Sequence, residues 1–251
     1  MLTGSFLSKR KGERNMGWTR QTVKSKAKAV MSVSYWKMLV ASILLAAVAG
    51  GVPYIAEAVF SPVPMPIDTD YATVTNIILG ASMVACVLNL IWLCLVAAPV
   101  EIGVTKYYIQ VSEDSGTAMD RCFDGFRYNW KNIVWVYFLM IVKIFLWALL
   151  FIVPGIVKAY EYSMIPYLLA ENPNISAKEA FEASKKMTDN EKWNLFVLDF
   201  SFIGWYLLGL LCCGVGTIFV APYARAAGTQ VYFVLKTKLI PNTPDKQVVN
   251  E

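Results

Sequence analysis

Five ionisable side chains interrupt otherwise apolar runs of the chain: Lys143, Lys158, Glu161, Asp199 and Arg225. Charge inside an apolar segment of membrane length is costly and ordinarily faces a bundle interior or water, so chemistry would reside at these positions. Lys143, Asp199 and Arg225 together would make a polar relay or an ion path. One acid against two bases at unequal depths favours the plainer alternative, in which they are structural partners or snorkel to the edges. Lys158 and Glu161 stand three residues apart on one helical face and can pair with each other. Glu57 and Glu101 fall near the ends of apolar runs and are read as solvated.

The usual catalytic constellations are missing from the sequence. There are 0 histidines, which removes the commonest metal ligand and the usual general base near neutral pH. Cys86, Cys94, Cys122, Cys212 and Cys213 have no zinc-like spacing and read as small apolar filler. An intramembrane aspartyl dyad needs two acids at depth, and Asp199 is the only aspartate in an apolar run. No glycine-rich phosphate loop occurs. The expectation is therefore a non-enzymatic protein, with no catalytic residue, no metal and no cofactor.

The elements that must position these charges are membrane helices. Of 251 residues, 57% are hydrophobic and 16% charged, too greasy a balance to clothe a soluble globule. A crossing needs about 20 apolar residues. Segments near that length lie at about 36–57, 77–98, 133–153, 193–211 and 215–235. A shorter one at 155–170 follows the kink Val153-Pro154-Gly155 and is read as a tilted fourth span, with a re-entrant segment as the competing reading. The predicted fold is all-α: a polytopic bundle of about six transmembrane helices in three kinked hairpins, carrying Pro99, Pro166 and Pro222 in their second helices. Residues 18–235 form one membrane domain, and 1–17 and 236–251 read as mobile polar tails. Ala56-Glu57-Ala58 has the form of a cleavage site, but the 37 residues before the first run are too long for an ordinary signal peptide.

Charge placement orients the bundle. Lys and Arg number 9 in residues 1–37, 4 in 100–132, 4 in 171–194 and 3 in 236–251, while the outer loops 61–76 and 212–214 carry none. The positive-inside rule then puts both termini in the cytoplasm.

A weak repeat runs through the chain, in which an amphipathic segment leads to Trp beside Lys and then to an apolar hairpin. Val23, Ala27, Val30 and Met31 form the first stripe, among Arg20, Lys24, Lys26 and Lys28, before Trp36-Lys37. Met119, Cys122, Phe123 and Phe126 form the second, before Trp130-Lys131. Ala177, Ala180, Phe181, Ser184 and Met187 form the third, before Lys192-Trp193, and Ser176 with Glu179 has the spacing of a capping box. Each is expected to be a helix lying in the cytoplasmic interface. Arg20, Lys24, Lys28, Trp36, Lys37, Trp130, Lys131, Lys192 and Trp193 are the residues expected to meet lipid headgroups. Because the basic segment continues into a span, anionic headgroups are a better partner for it than nucleic acid.

The string Val153-Pro154-Gly155-Ile156-Val157-Lys158, Tyr162-Ser163-Met164, Glu171-Asn172-Pro173, Ile175-Ser176-Ala177-Lys178-Glu179-Ala180, Lys192-Trp193-Asn194-Leu195-Phe196, Ser201-Phe202-Ile203-Gly204-Trp205 and Pro222-Tyr223 resembles an uncharacterised bacterial membrane family, domain of unknown function 975. Trp18-Thr19-Arg20 leading to Tyr35-Trp36-Lys37 is similar too. The resemblance spans residues 18–235 and is densest over 153–223. Cys212-Cys213, where a small residue is expected, and the absence of an acidic finish to the last helix depart from it. It implies a multi-helix integral membrane protein and carries over no activity and no site. The expected role is a bacterial plasma-membrane protein acting through anionic lipid, a partner protein or a second copy of itself. The alternative is a small transporter or channel component using the buried charges.

Overall fold

The computed structural model describes residues 18–51, 71–114, 116–211 and 215–239, and among these every regular element is helical. The expectations for residues 1–17, the Ala56-Glu57-Ala58 site, most of loop 61–76, Cys212-Cys213 and residues 240–251 lie outside the described residues.

Helix α1 (Arg20–Ala46) opens on a capping box in which Thr19 and Thr22 accept from each other's backbone N–H groups, satisfying donors that have no partner within the helix. Ser34 has non-helical φ −126 and ψ 22, and this bend divides the amphipathic first part from the apolar second part. Val23, Ala27, Met38, Ala41 and Leu45 are buried on its inner side. Helix α2 (Tyr71–Trp92) continues through a wide π turn, Leu93–Ala97, into α3 (Ala98–Glu113). Ala98 N–H bonds to the Leu93 carbonyl, five residues back, and this local widening lets the helix run on through Pro99.

The surroundings change at that turn. Met83, Val84, Val87, Leu88 and Ile91 before it are exposed, whereas Val100, Ile102, Val104, Tyr107 and Tyr108 after it are buried. The core of the molecule is built around α3. A short 3-10 turn, Met119–Phe123, and α4 (Asp124–Arg127) lie against it so closely that a Cβ on Gly103 would collide with the Cys122 carbonyl, and one on Gly125 with the Pro99 carbonyl.

Helices α5 (Trp130–Leu150) and α6 (Ile152–Glu161) form a hairpin about the extended residue Phe151. After a turn at 162–164 comes α7 (Ile165–Glu171), then α8 (Ala177–Thr188), α9 (Lys192–Leu211) and α10 (Val215–Lys236). The Ser176 and Glu179 capping box forms as expected and starts α8. Helix α10 packs along both α1 and α9. Away from the core, Phe145, Leu146, Leu149 to Val153, Phe200, Leu207, Leu210 and Leu211 stand exposed. An outer surface of this kind suits hydrocarbon and not water.

Among the described residues four helices are long and apolar enough to cross a membrane, within Arg20–Ala49, Ser82–Glu113, Trp130–Leu150 and Lys192–Leu211. The sequence reading of six differs at two places. Segment 155–170 is divided between α6 and α7, of 10 and 7 residues, neither of which reaches across alone. Helix α10 has 22 residues, but Thr217, Arg225, Thr229 and Gln230 dilute its apolar character.

The amphipathic segments also depart from expectation. In the second, Cys122 is buried while Phe123 and Phe126 are exposed, because a 3-10 turn followed by one α turn does not keep the 3.6-residue period. In the third, Ala180, Phe181, Ser184 and Met187 are buried as one face, and that face covers protein.

Candidate functional site

Two acid–base clusters join the helices. At the end of α6, Glu161 accepts from Lys158 Nζ at 2.8 Å through Oε1 and from Lys192 Nζ at 2.7 Å through Oε2. Its side chain is 5% exposed, and the two ammonium groups neutralise it. Lys158 arrives on the same face by its i,i+3 spacing, and Lys192 as the first residue of α9. From α8, the hydroxyls of Ser184 and Thr188 donate to the Glu161 backbone carbonyl at 2.7 and 3.3 Å. A carbonyl at a helix end, otherwise without a partner, is thereby satisfied and α6, α8 and α9 are tied at one point.

The second cluster joins α3, α5 and α10. Glu101 Oε1 lies 3.6 Å from Arg225 Nη2, and Glu101 Oε2 accepts from the Tyr137 hydroxyl at 2.9 Å. Nearby, Tyr108 donates to the Met38 carbonyl at 2.9 Å and lies 2.7 Å from the Ser42 hydroxyl, which fastens α3 to α1. Tyr167 of α7 stacks on Tyr232 of α10 at 5.0 Å, and Gly228 leaves the space its hydroxyl occupies. Further pairs link Lys106 with Asp124 at 2.8 Å and Lys238 with Glu191 at 3.1 Å, and Lys236 with Glu171.

Lys143, Asp199 and Arg225 form no ion pair with one another, although Asp199 and Arg225 both act electrostatically on Tyr167 and Tyr206. Lys143 is exposed, with its ammonium 3.6 Å from the centre of the Phe181 ring, a cation–π contact. Asp199 is exposed on α9 and hydrogen-bonds with the Tyr160 hydroxyl. Arg225 pairs with Glu101, which its place near a span end predicts to be solvated. The signal available was an acid with only apolar residues and glycine for several positions on either side, a charge that needed a cation. Tyr137 carried no such signal.

Among the headgroup candidates, Arg20, Lys28, Trp36, Lys37, Trp130, Lys131 and Trp193 are exposed, and so is Lys26. Lys24 is half-buried, 4.7 Å above the Phe202 ring, and Lys192 is turned inward to Glu161. Among the described residues no group of His, Cys, Asp or Glu could hold a metal ion. The carboxylates of Glu101 and Glu161 are held by cations, an arrangement that fastens helices and leaves neither free as a base.

Described residues whose regular structure is all helical, with four helices among them long and apolar enough to cross a membrane, mark the class of this protein as a membrane protein. Residues 129–238, which hold α5 to α10 and the Glu161 cluster, match the model of the family described as protein of unknown function (DUF975), the family whose resemblance the sequence shows. No curated protein and no solved structure matches the chain.

Proposed function

We propose that the protein is a non-enzymatic, multi-pass protein of the bacterial plasma membrane, with both termini cytoplasmic, that acts through anionic lipid headgroups and a partner protein or second copy. The observation that carries this reading is a division among the charges. The buried Asp124, Glu161 and Glu191 and the more open Glu101 and Glu171 each hold a cation. On the outside, Arg20, Lys26, Lys28, Lys37 and Lys131 have no carboxylate among the described residues, Trp36 and Trp130 stand exposed next to Lys37 and Lys131, and Trp193 is exposed as well. Cations and indoles in this arrangement suit the headgroup layer, where each basic residue near an anionic surface contributes about 1 kcal/mol. The full-length protein in nanodiscs of mixed phosphatidylglycerol and phosphatidylcholine should enrich the anionic lipid around itself. Reversing the charge of Lys24, Lys26 and Lys28 together should lower that enrichment, and an unchanged ratio would remove the lipid role.

The second reading, a small transporter or channel component, draws on Asp199. An exposed carboxylate on an otherwise apolar helix, with tyrosines and no paired cation beside it, is costly unless water reaches it. Proteoliposomes whose ion or proton flux fell on Asp199→Asn and on Lys143→Met would favour this reading over the first.

A further inference from the structure

At the start of α1 lies an open cavity of about 510 Å³. Trp18, Arg20 and Lys24 line it from one side, and Asn194 and Ser201 of α9 from the other. Arg20 and Lys24 stand one helical turn apart, and Lys28 continues the row, so the three like charges repel one another. No carboxylate among the described residues pairs with Arg20 or Lys24. Glu191, the acid nearest in sequence to the α9 wall, is already held by Lys238 at 3.1 Å and by the Asn194 amide at 2.8 Å. Trp18 is 8% exposed, and its indole N–H has no partner among the described residues, a donor left unpaired at a cost.

The cavity also has a direction. Ser201 lies about 14 Å along α9 from Lys192 by helical rise, on a helix apolar enough to cross a membrane. Lys24 rests against that apolar flank over the Phe202 ring. Two unneutralised cations and a buried donor thus sit where the polar end of a membrane helix gives way to its apolar body. A guanidinium and an ammonium at this spacing offer a phosphate oxyanion charge-assisted donors from one face of α1.

We infer that this cavity holds the phosphate of one anionic phospholipid, between Arg20 and Lys24, with the lipid's chains toward the apolar flank of α9. The inference rests on the lipid-contact reading and adds a discrete site to it. The test is native mass spectrometry of the full-length protein released from nanodiscs of phosphatidylglycerol and phosphatidylcholine. One phosphatidylglycerol per chain should survive release. The fraction of chains carrying it should fall at least about tenfold in the Arg20→Gln, Lys24→Gln double variant, since each loses a charge-assisted contact. It should persist in Lys26→Gln, Lys28→Gln, whose cations lie outside the cavity. Unchanged melting of each variant in lipid-free detergent shows that the fold is intact; should the double variant melt early, Arg20→Gln alone carries the comparison. Equal loss in both double variants would leave only diffuse attraction, overturning the site while sparing the lipid-contact reading. Retention in the Arg20 and Lys24 variant, or equal holding of phosphatidylcholine, would overturn the site outright. Displacement of the lipid by millimolar inorganic phosphate would contradict the lipid source.

Discussion

Glu161 and Lys192 lie 2.7 Å apart although the whole of α7 and α8 separates them in the chain. Lys158 shares the same carboxylate, so one nearly buried acid holds two cations from two helices. Removing the acid leaves both ammonium groups facing each other, whereas removing Lys192 leaves the acid still paired. Glu161→Gln should therefore cost about 2–3 kcal/mol of unfolding free energy, and Lys192→Met less. Reversible unfolding in mixed micelles measures both. A double-mutant cycle should give a coupling of about 1–2 kcal/mol, and additive effects would show that the contact does not hold α9 to α6.

Gly103 and Gly125 interlock α3 with the turn before α5. The atom a new Cβ would strike is in each case a backbone carbonyl, which cannot swing aside as a side chain would. Gly103→Ala should displace the 119–127 segment and cost several kcal/mol, of the order seen for overpacked cores. Gly204→Ala, with open space at its Cβ, should be neutral or stabilising by up to about 1 kcal/mol. Yields of monodisperse protein from the membrane report the difference, and equal yields would count against the interlock.

Cys122 sits in the same interlock, with its thiol pushed up to about 11, first by burial and then by the carboxylates of Asp120 and Asp124. Raising a thiol's pKa removes thiolate, so at neutral pH the group should hold about 100-fold less of it than an ordinary cysteine. With the other cysteines replaced, Cys122 should react very slowly with iodoacetamide at pH 7 and faster as the pH rises toward 11. Fast labelling at neutral pH would mean that the segment does not stay on α3.

The legible parts of this structure were the local ones. Ser176 and Glu179 announced the start of α8 because a capping box involves four consecutive residues, and Phe181, Ser184 and Met187 shared a face because an α-helix keeps its period over three turns. The pair Lys158–Glu161 followed from spacing for the same reason. What escaped depends on distant partners. Nothing within the α3 sequence names Arg225 as the cation for Glu101, and nothing near Lys192 names Glu161, so both were placed in water or headgroups. The widened turn ahead of Pro99 and the 3-10 turn at Met119–Phe123 each shift the register of the face that follows, which no constant period can anticipate.

The most direct test of the account is the side of the membrane on which the basic surface lies. Ser25 and Lys186 are exposed, on α1 and α8, and the apolar parts of three candidate crossings and the α6–α7 break lie between them in the chain. In a cysteine-free background, Ser25→Cys and Lys186→Cys should both resist a membrane-impermeant maleimide in intact bacteria and label fully once the cells are permeabilised. Labelling of either position in intact cells would contradict the orientation, and with it the placement of the basic residues against the cytoplasmic leaflet.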